Sequence, residues 1–200
     1  MRLRRGTARA FGMLALAAAT GGCGGSGGST LGRDPSSYLI TLSQLTSPDF
    51  IVYQAVAPVG AGWLDQASST AVRKDGLVRA AEVEYYREVS FSTSNGPITV
   101  TAAVAAFTTT VGAAAAMIRL DTVLDARAGA VPVSTGPLGD SGHATTTQGT
   151  AGGVGALQII VVWRVDNLVN SLVAEGRLGG LQLDQLLPLT AAQTANERAR

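Results

Sequence analysis

One thiol, Cys23, and one imidazole, His143, limit the nucleophilic and metal chemistry open to this chain. A thiolate nucleophile needs a base brought to it, and a zinc site needs several sulfur or imidazole ligands. A single residue of each kind does not build a thiolate-bound metal site. A thioether bond needs only one free thiol, and Cys23 has a distinctive setting for it. Arg2, Arg4, Arg5 and Arg9 precede an apolar run from Ala10 to Ala19, followed by Thr20-Gly21-Gly22-Cys23 and a glycine- and serine-rich stretch, Gly24 to Thr30.

The remaining candidates are hydroxyls, carboxylates and arginines. Gly139-Asp140-Ser141-Gly142 resembles the nucleophile segment of trypsin-like serine proteases. That mechanism needs a histidine oriented by an acid to take the serine proton, and in the protease pattern it lies far upstream. Here the only histidine is two residues past Ser141, where the pattern has a further glycine, so the segment is read as a polar turn. Gly149 to Gly155 lacks the Lys-Ser/Thr ending of a phosphate loop and reads as a hairpin turn. Glu82, Glu84 and Glu88 share one face of a strand, either as a solvated row or as ligands for a hard cation. Trp163 and Arg164 sit in a nearly all-apolar strand. Arg164 must therefore find a carboxylate, solvent or a ligand, since burying it unpaired costs several kcal/mol. One reading is an ion pair to Asp166 or a strand-face glutamate; the other is a ligand pocket on an uncovered sheet face, formed with Tyr86 and Arg87.

The N-terminal pattern resembles a bacterial lipoprotein signal, with Thr20 standing where an aliphatic residue is usual. The resemblance implies that residues 1–22 are removed, that Cys23 carries a diacylglycerol, and that residues 23–35 tether a single domain, residues 36–200, to the outer face of the cell membrane. The alternative is ordinary cleavage after Ala17-Ala18-Ala19. The apolar run is too short to span a bilayer. Arg4-Arg5 is not followed by the usual twin-arginine continuation, and both export routes stay open. Beyond Cys23 the chain has eleven basic and fourteen acidic residues, a balance of −3 rather than the +1 of the whole chain, with Lys74 as the one lysine. This is not the basic footprint of a nucleic-acid binder.

The elements that must position these residues follow from periodicity. Tyr38-Leu39-Ile40 and Phe50 to Tyr53 read as short strands, and Asp65 to Lys74 as a weak helix. Val83, Tyr85, Val89 and Phe91 alternate with Glu82, Glu84, Tyr86 and Glu88, which predicts a half-buried strand. Asn95-Gly96 turns the chain into a partner strand carrying Ile98, Val100, Ala102 and Val104. Thr108 to Thr110 offer N-caps for a helix to about Ala126, and a loop follows through Pro132 and Pro137. His143 to Gln148, Leu157 to Val165 and Leu168 to Glu175 read as strands, and Leu181 to Asn196 as a closing helix. The sum is an α+β domain: an antiparallel sheet of about five strands with helices packed on one face. The order of elements hints at a degenerate duplication.

Leu138-Gly139-Asp140, Val162 to Asn167 and the closing helix with Gln193 resemble, over about half the chain, extracytoplasmic lipoprotein and sensor-type domains of high-GC bacteria. The resemblance implies binding or sensing without catalytic residues or a cofactor. The expected function is a lipid-anchored, non-enzymatic domain that binds a small ligand, a lipid or an envelope protein. A surface hydrolase using Glu82, Glu84, Asp140 or Asp166 and a purely structural envelope protein are the alternatives.

Overall fold

The structure, a computed structural model, describes residues 32–59 and 69–199. The signal segment, Cys23 and the tether up to Leu31 lie outside the described residues, as does the start of the helix expected from Asp65.

Seven antiparallel strands form one sheet: β1 (Phe50–Val59), β2 (Leu77–Arg87), β3 (Thr99–Phe107), β4 (Ala130–Val133), β5 (Ser141–Ala151), β6 (Val154–Val165) and β7 (Leu168–Arg177). Their order across the sheet is β1-β2-β3-β7-β6-β5-β4. The helices are α1 (Ser69–Lys74), α2 (Thr110–Asp125) and α3 (Leu187–Arg198). The expected count of about five strands is too low. β4 passes through Pro132, which the sequence suggested as loop; an edge position tolerates proline because no ladder N–H is needed on its outer side. The stretch Tyr38 to Ile40 is not a strand. A 3-10 turn, Pro35–Tyr38, is capped by the Asp34 side chain, and all three residues are buried against the sheet.

The β2–β3 hairpin has the expected in-register pairing, Val83 with Ala102 and Tyr85 with Val100. Strand β2 stops at Arg87, so Glu88, Val89 and Phe91 leave the ladder. β6 pairs with β5 on one side and β7 on the other. It buries Ile159, Val161, Trp163 and Val165 in one cluster and Ile160 and Val162 in a second. A strand with both faces covered has no polar positions in its middle, which explains its unbroken apolar run.

Those two clusters correct the layer expectation, because helices cover both faces. Residues 38–40 and α3, with Leu186 and Leu189, pack on one face. Val72 of α1 and Ala113, Ala116, Met117, Leu120 and Leu124 of α2 pack on the other. The strand order is mirrored about the central β3–β7 pair, yet the helices that follow these two strands land on opposite faces. A two-fold normal to the sheet would put both on the same face, so the halves are not a superposable repeat.

Helix α2 starts where sequence placed it. The Thr109 hydroxyl accepts from Gly112 N–H at 3.0 Å, a bond of the N-cap type. Gly112 also sits against the turn after α1. A Cβ there would collide with the Asp75 carbonyl oxygen, which is fixed backbone. Glycine-to-alanine in a helix usually stabilises by about 1 kcal/mol. Gly112→Ala is expected to reverse that sign and destabilise by about 2 kcal/mol, as overpacking against backbone does, measured as a lowered urea midpoint at unchanged slope.

Candidate functional site

The β6–β7 hairpin turn is two residues long and is held by a cluster of polar contacts. Asp166 has φ +56°, and it is the one non-glycine residue with positive φ among the described residues. Aspartate tolerates the left-handed region better than most side chains. The turn is clamped from outside. Asp166 N–H donates to Asp140 Oδ2 at 2.7 Å, and Arg164 Nη1 donates to the Asp166 carbonyl at 2.8 Å. The same arginine nitrogen lies 3.1 Å from Asp140 Oδ2. Asp140 N–H donates in turn to the Arg164 carbonyl at 2.8 Å. Gly139, at φ +52°, lets this happen, because a Cβ there would collide with that same carbonyl oxygen. From the far side, the Asn167 amide donates to the Phe107 carbonyl at 2.8 Å, tying the turn to the end of β3.

Arg164 thus finds its carboxylate in Asp140, and what it takes from Asp166 is a main-chain carbonyl. Its side chain is 18% exposed. Beside this knot opens a cleft of about 480 Å³ whose wall includes Thr110, Asp140, Arg164, Asp166, Glu197 and Arg198. It lies where the start of α2, the β6–β7 turn and the end of α3 meet.

Glu197 is the unusual member. It is 1% exposed, and neither carboxyl oxygen has a hydrogen-bond partner within 3.5 Å. One helical turn back, Gln193 Nε2 donates to Asn170 Oδ1 at 2.9 Å and to the Ala103 carbonyl at 3.3 Å. Gln193 Oε1 and Asn170 Nδ2 remain unpartnered. Leu189, Thr190, Gln193 and Glu197 form the buried stripe of α3, so its apolar half gives way to polar residues as it nears the cleft. Burial pushes the Glu197 carboxyl up to about 8. The neighbouring Asn170 side chain and the Arg198 charge pull it down, and the Asp140 charge raises it further. At neutral pH this carboxyl is mostly protonated and serves as a neutral floor.

A second, more apolar groove of about 790 Å³ adjoins the first. Pro137, Leu138, Leu187, Ala191 and Ala195 line it, and Arg198 stands in the wall of both.

The four residues expected to form a pocket are not brought together. Arg164 lines the cleft. Trp163 is fully buried beneath α3, its indole N–H donating to Thr194 Oγ1 at 3.0 Å, so its ring is not available for stacking. Tyr86 and Arg87 belong to the opposite end of the sheet. The row through Tyr86, Thr99 and Glu175 reaches β6 at Gln158, five residues from Trp163. That is about 17 Å along the strands and about 14 Å across them. Arg87 holds the loop after β2: its Nη1 donates to the Asn95 and Pro97 carbonyls at 3.0 and 3.2 Å, and its guanidinium lies over Phe50. Tyr86 pairs with Tyr53 at 6.2 Å between ring centroids, on the open β1 side.

The other candidates separate in the same way. His143 Nε2 lies 2.9 Å from Asp125 Oδ1 on α2 rather than serving Ser141. Among the described residues no group of three or more histidine, cysteine or acidic side chains could hold a metal ion. Sequence did not single out Glu197 or Arg198, and marked Thr110 only as a candidate helix cap. Glu197 had one available signal, its position four residues beyond Gln193 on a stripe that otherwise seals the core.

No family model matches the chain, and no curated protein matches it by sequence. Among solved structures it is similar to the extracellular domain of PknH from Mycobacterium tuberculosis, with a TM-score of 0.54 and 13% identity over 82% of this chain and 95% of that one. At that identity the likeness is one of fold.

The Glu197 carboxyl makes stability pH-dependent. Unfolded, it loses its proton near 4.5; folded, near 8. Between those values the native state holds a proton that the unfolded chain has released, so stability falls as pH rises through this window, by up to about 1.4 kcal/mol per pH unit. Glu197→Gln is expected to flatten that slope and to be the more stable protein at pH 8, as read from urea unfolding at pH 5, 6.5 and 8.

Proposed function

We propose that this chain is a lipid-anchored, extracytoplasmic, non-enzymatic domain that binds a small ligand or an envelope component in the cleft between the β6–β7 turn and α3. The observation that carries the binding reading is a pair of oppositely charged side chains that line the cleft. They are the Asp166 carboxylate and the Arg198 guanidinium, and neither makes a hydrogen bond or ion pair among the described residues. Clefts with a few convergent polar groups are the usual form of small-molecule sites. The location is supported by the signal-like N-terminus with Cys23 and by the fold's likeness to an extracellular domain.

A hydrolase reading draws on Asp140, Asp166 and Glu197 lining one cleft, with one carboxyl held neutral, the pattern of paired general acids and bases. Two facts weigh against it. Asp140 is occupied by Arg164 and the Asp166 N–H, and both Glu197 oxygens are closed to solvent.

The anchor is tested by feeding cells a clickable fatty acid: label is expected on wild type and absent from Cys23→Ser, and equal labelling would overturn it. The cleft is tested by a thermal-shift screen against envelope lipids, glycans and amino acids, comparing wild type with Thr110→Trp, which fills the mouth. A ligand at a hundred times its Kd adds about 2.7 kcal/mol of stability, a Tm rise of several degrees. That rise is expected in wild type and lost in the variant; a rise equal in both places the ligand elsewhere.

A further inference from the structure

The polar cleft and the apolar groove meet at Arg198, which lines both. Arg198 projects from the exposed end of α3 and belongs to both walls. Asp166 lines the polar cleft from the two-residue β6–β7 turn. The two do not pair with each other, and the other charged groups of the cleft are spoken for. Arg164 is neutralised by Asp140 at 3.1 Å, and Glu197 is buried beneath them. What the polar cleft offers a ligand is therefore one negative charge on a clamped turn and one positive charge at the end of α3, over a neutral floor. From the positive end the apolar groove leads away between α3 and the 134–139 segment, past Leu138, Leu187, Ala191 and Ala195.

Resting on the cleft reading above, we infer that this surface takes a zwitterionic amphiphile: an acidic group at Arg198, a primary ammonium at Asp166, and an apolar chain along the α3 groove. The order of groups follows from the wall that Arg198 shares. The acidic group must lie between the ammonium and the apolar chain, as it does in the ethanolamine phospholipids. A guanidinium suits a phosphate because its planar fork can donate two parallel hydrogen bonds. An ammonium suits a carboxylate on an open turn, where the charge keeps part of its hydration. A purely anionic amphiphile would meet the Asp166 charge unpaired. A headgroup without a chain would leave the groove wet and gain nothing from apolar burial. An apolar α-amino acid carries its acid and its ammonium on the same carbon, and it serves as the competing source of a zwitterion.

The test uses the full chain carrying Cys23→Ser, so that it stays in water without detergent, and isothermal titration below micelle-forming concentrations. The probes are lauroyl lysophosphatidylethanolamine, lauroyl lysophosphatidylglycerol, glycerophosphoethanolamine and leucine. Lysophosphatidylethanolamine is expected to bind at least ten-fold more tightly than each of the other three. Arg198→Ala should weaken both lysolipids at least ten-fold. Asp166→Asn, which keeps a side chain suited to the left-handed turn, should erase the preference for ethanolamine over glycerol while leaving the melting curve close to wild type. Binding of glycerophosphoethanolamine or leucine as tight as that of the lysolipid would overturn the amphiphile and leave the cleft reading standing. Equal binding of the two lysolipids in wild type would overturn the role of Asp166. No binding by any probe, alongside a cleft-dependent hit in the thermal screen, would overturn this inference alone; no binding in either experiment would overturn both.

Discussion

The carboxylate of Asp140 is the point on which the cleft end of this domain depends. It receives the Asp166 N–H and the Arg164 guanidinium at once, and its own N–H returns to the Arg164 carbonyl. Two segments distant in sequence are thereby held together: the 139–140 corner that leads into β5, and the end of β6 with its turn into β7. The turn itself is unfavourable for an ordinary residue at positive φ, and the clamp from outside supplies what local propensity does not. Once the turn is fixed, the cleft beside it has a defined wall, and the end of α3 closes against it.

The same region shows how the fold tolerates polar groups in its interior. The sheet is covered on both faces, and its centre is mostly apolar, with Asn170 and Ser171 buried on β7 and Thr145 on β5. The largest polar group belongs to the stripe of α3, where Thr190, Gln193 and Glu197 carry polarity inward until it meets Asn170 on β7. Several of these atoms lack partners, and such groups cost roughly 1–3 kcal/mol each unless satisfied. Glu197 escapes the larger cost of a buried charge by keeping its proton. Polarity of this kind, pointed at the floor of a cleft and away from the centre of the core, fits a site better than a purely structural seam.

Much of this was legible in the sequence where one physical rule dominated. Alternation gave β2 and β3, the threonine cap gave α2, and an unbroken apolar run gave a strand buried on both faces. Arg164 in that run required a carboxylate, solvent or a ligand; it has a carboxylate, but in Asp140 rather than in Asp166 or a strand-face glutamate. The rest depended on tertiary choices that leave little trace in local pattern. Tyr38 to Ile40 looks like a strand because it is apolar, yet it is buried without joining the ladder. Pro132 hides an edge strand. The covering of both faces depends on which side each helix crosses, and periodicity alone does not encode that. Local pattern does not encode the order of strands, and β3 and β7 lie between the strand of Tyr86 and Arg87 and that of Trp163 and Arg164. Glu197 was hidden because a glutamate near a helix end reads as solvent-facing, and only the packing of α3 turns it inward.

The account stands or falls on the Asp140–Arg164 clamp, and a double-mutant cycle measures it directly. Asp140→Asn, Arg164→Met and the pair together, compared by urea unfolding at pH 6, are predicted to give a coupling energy of about 1 kcal/mol or more, the range for contacting residues in one hydrogen-bonded network. A coupling below about 0.3 kcal/mol, the level at which independent sites simply add, would contradict it.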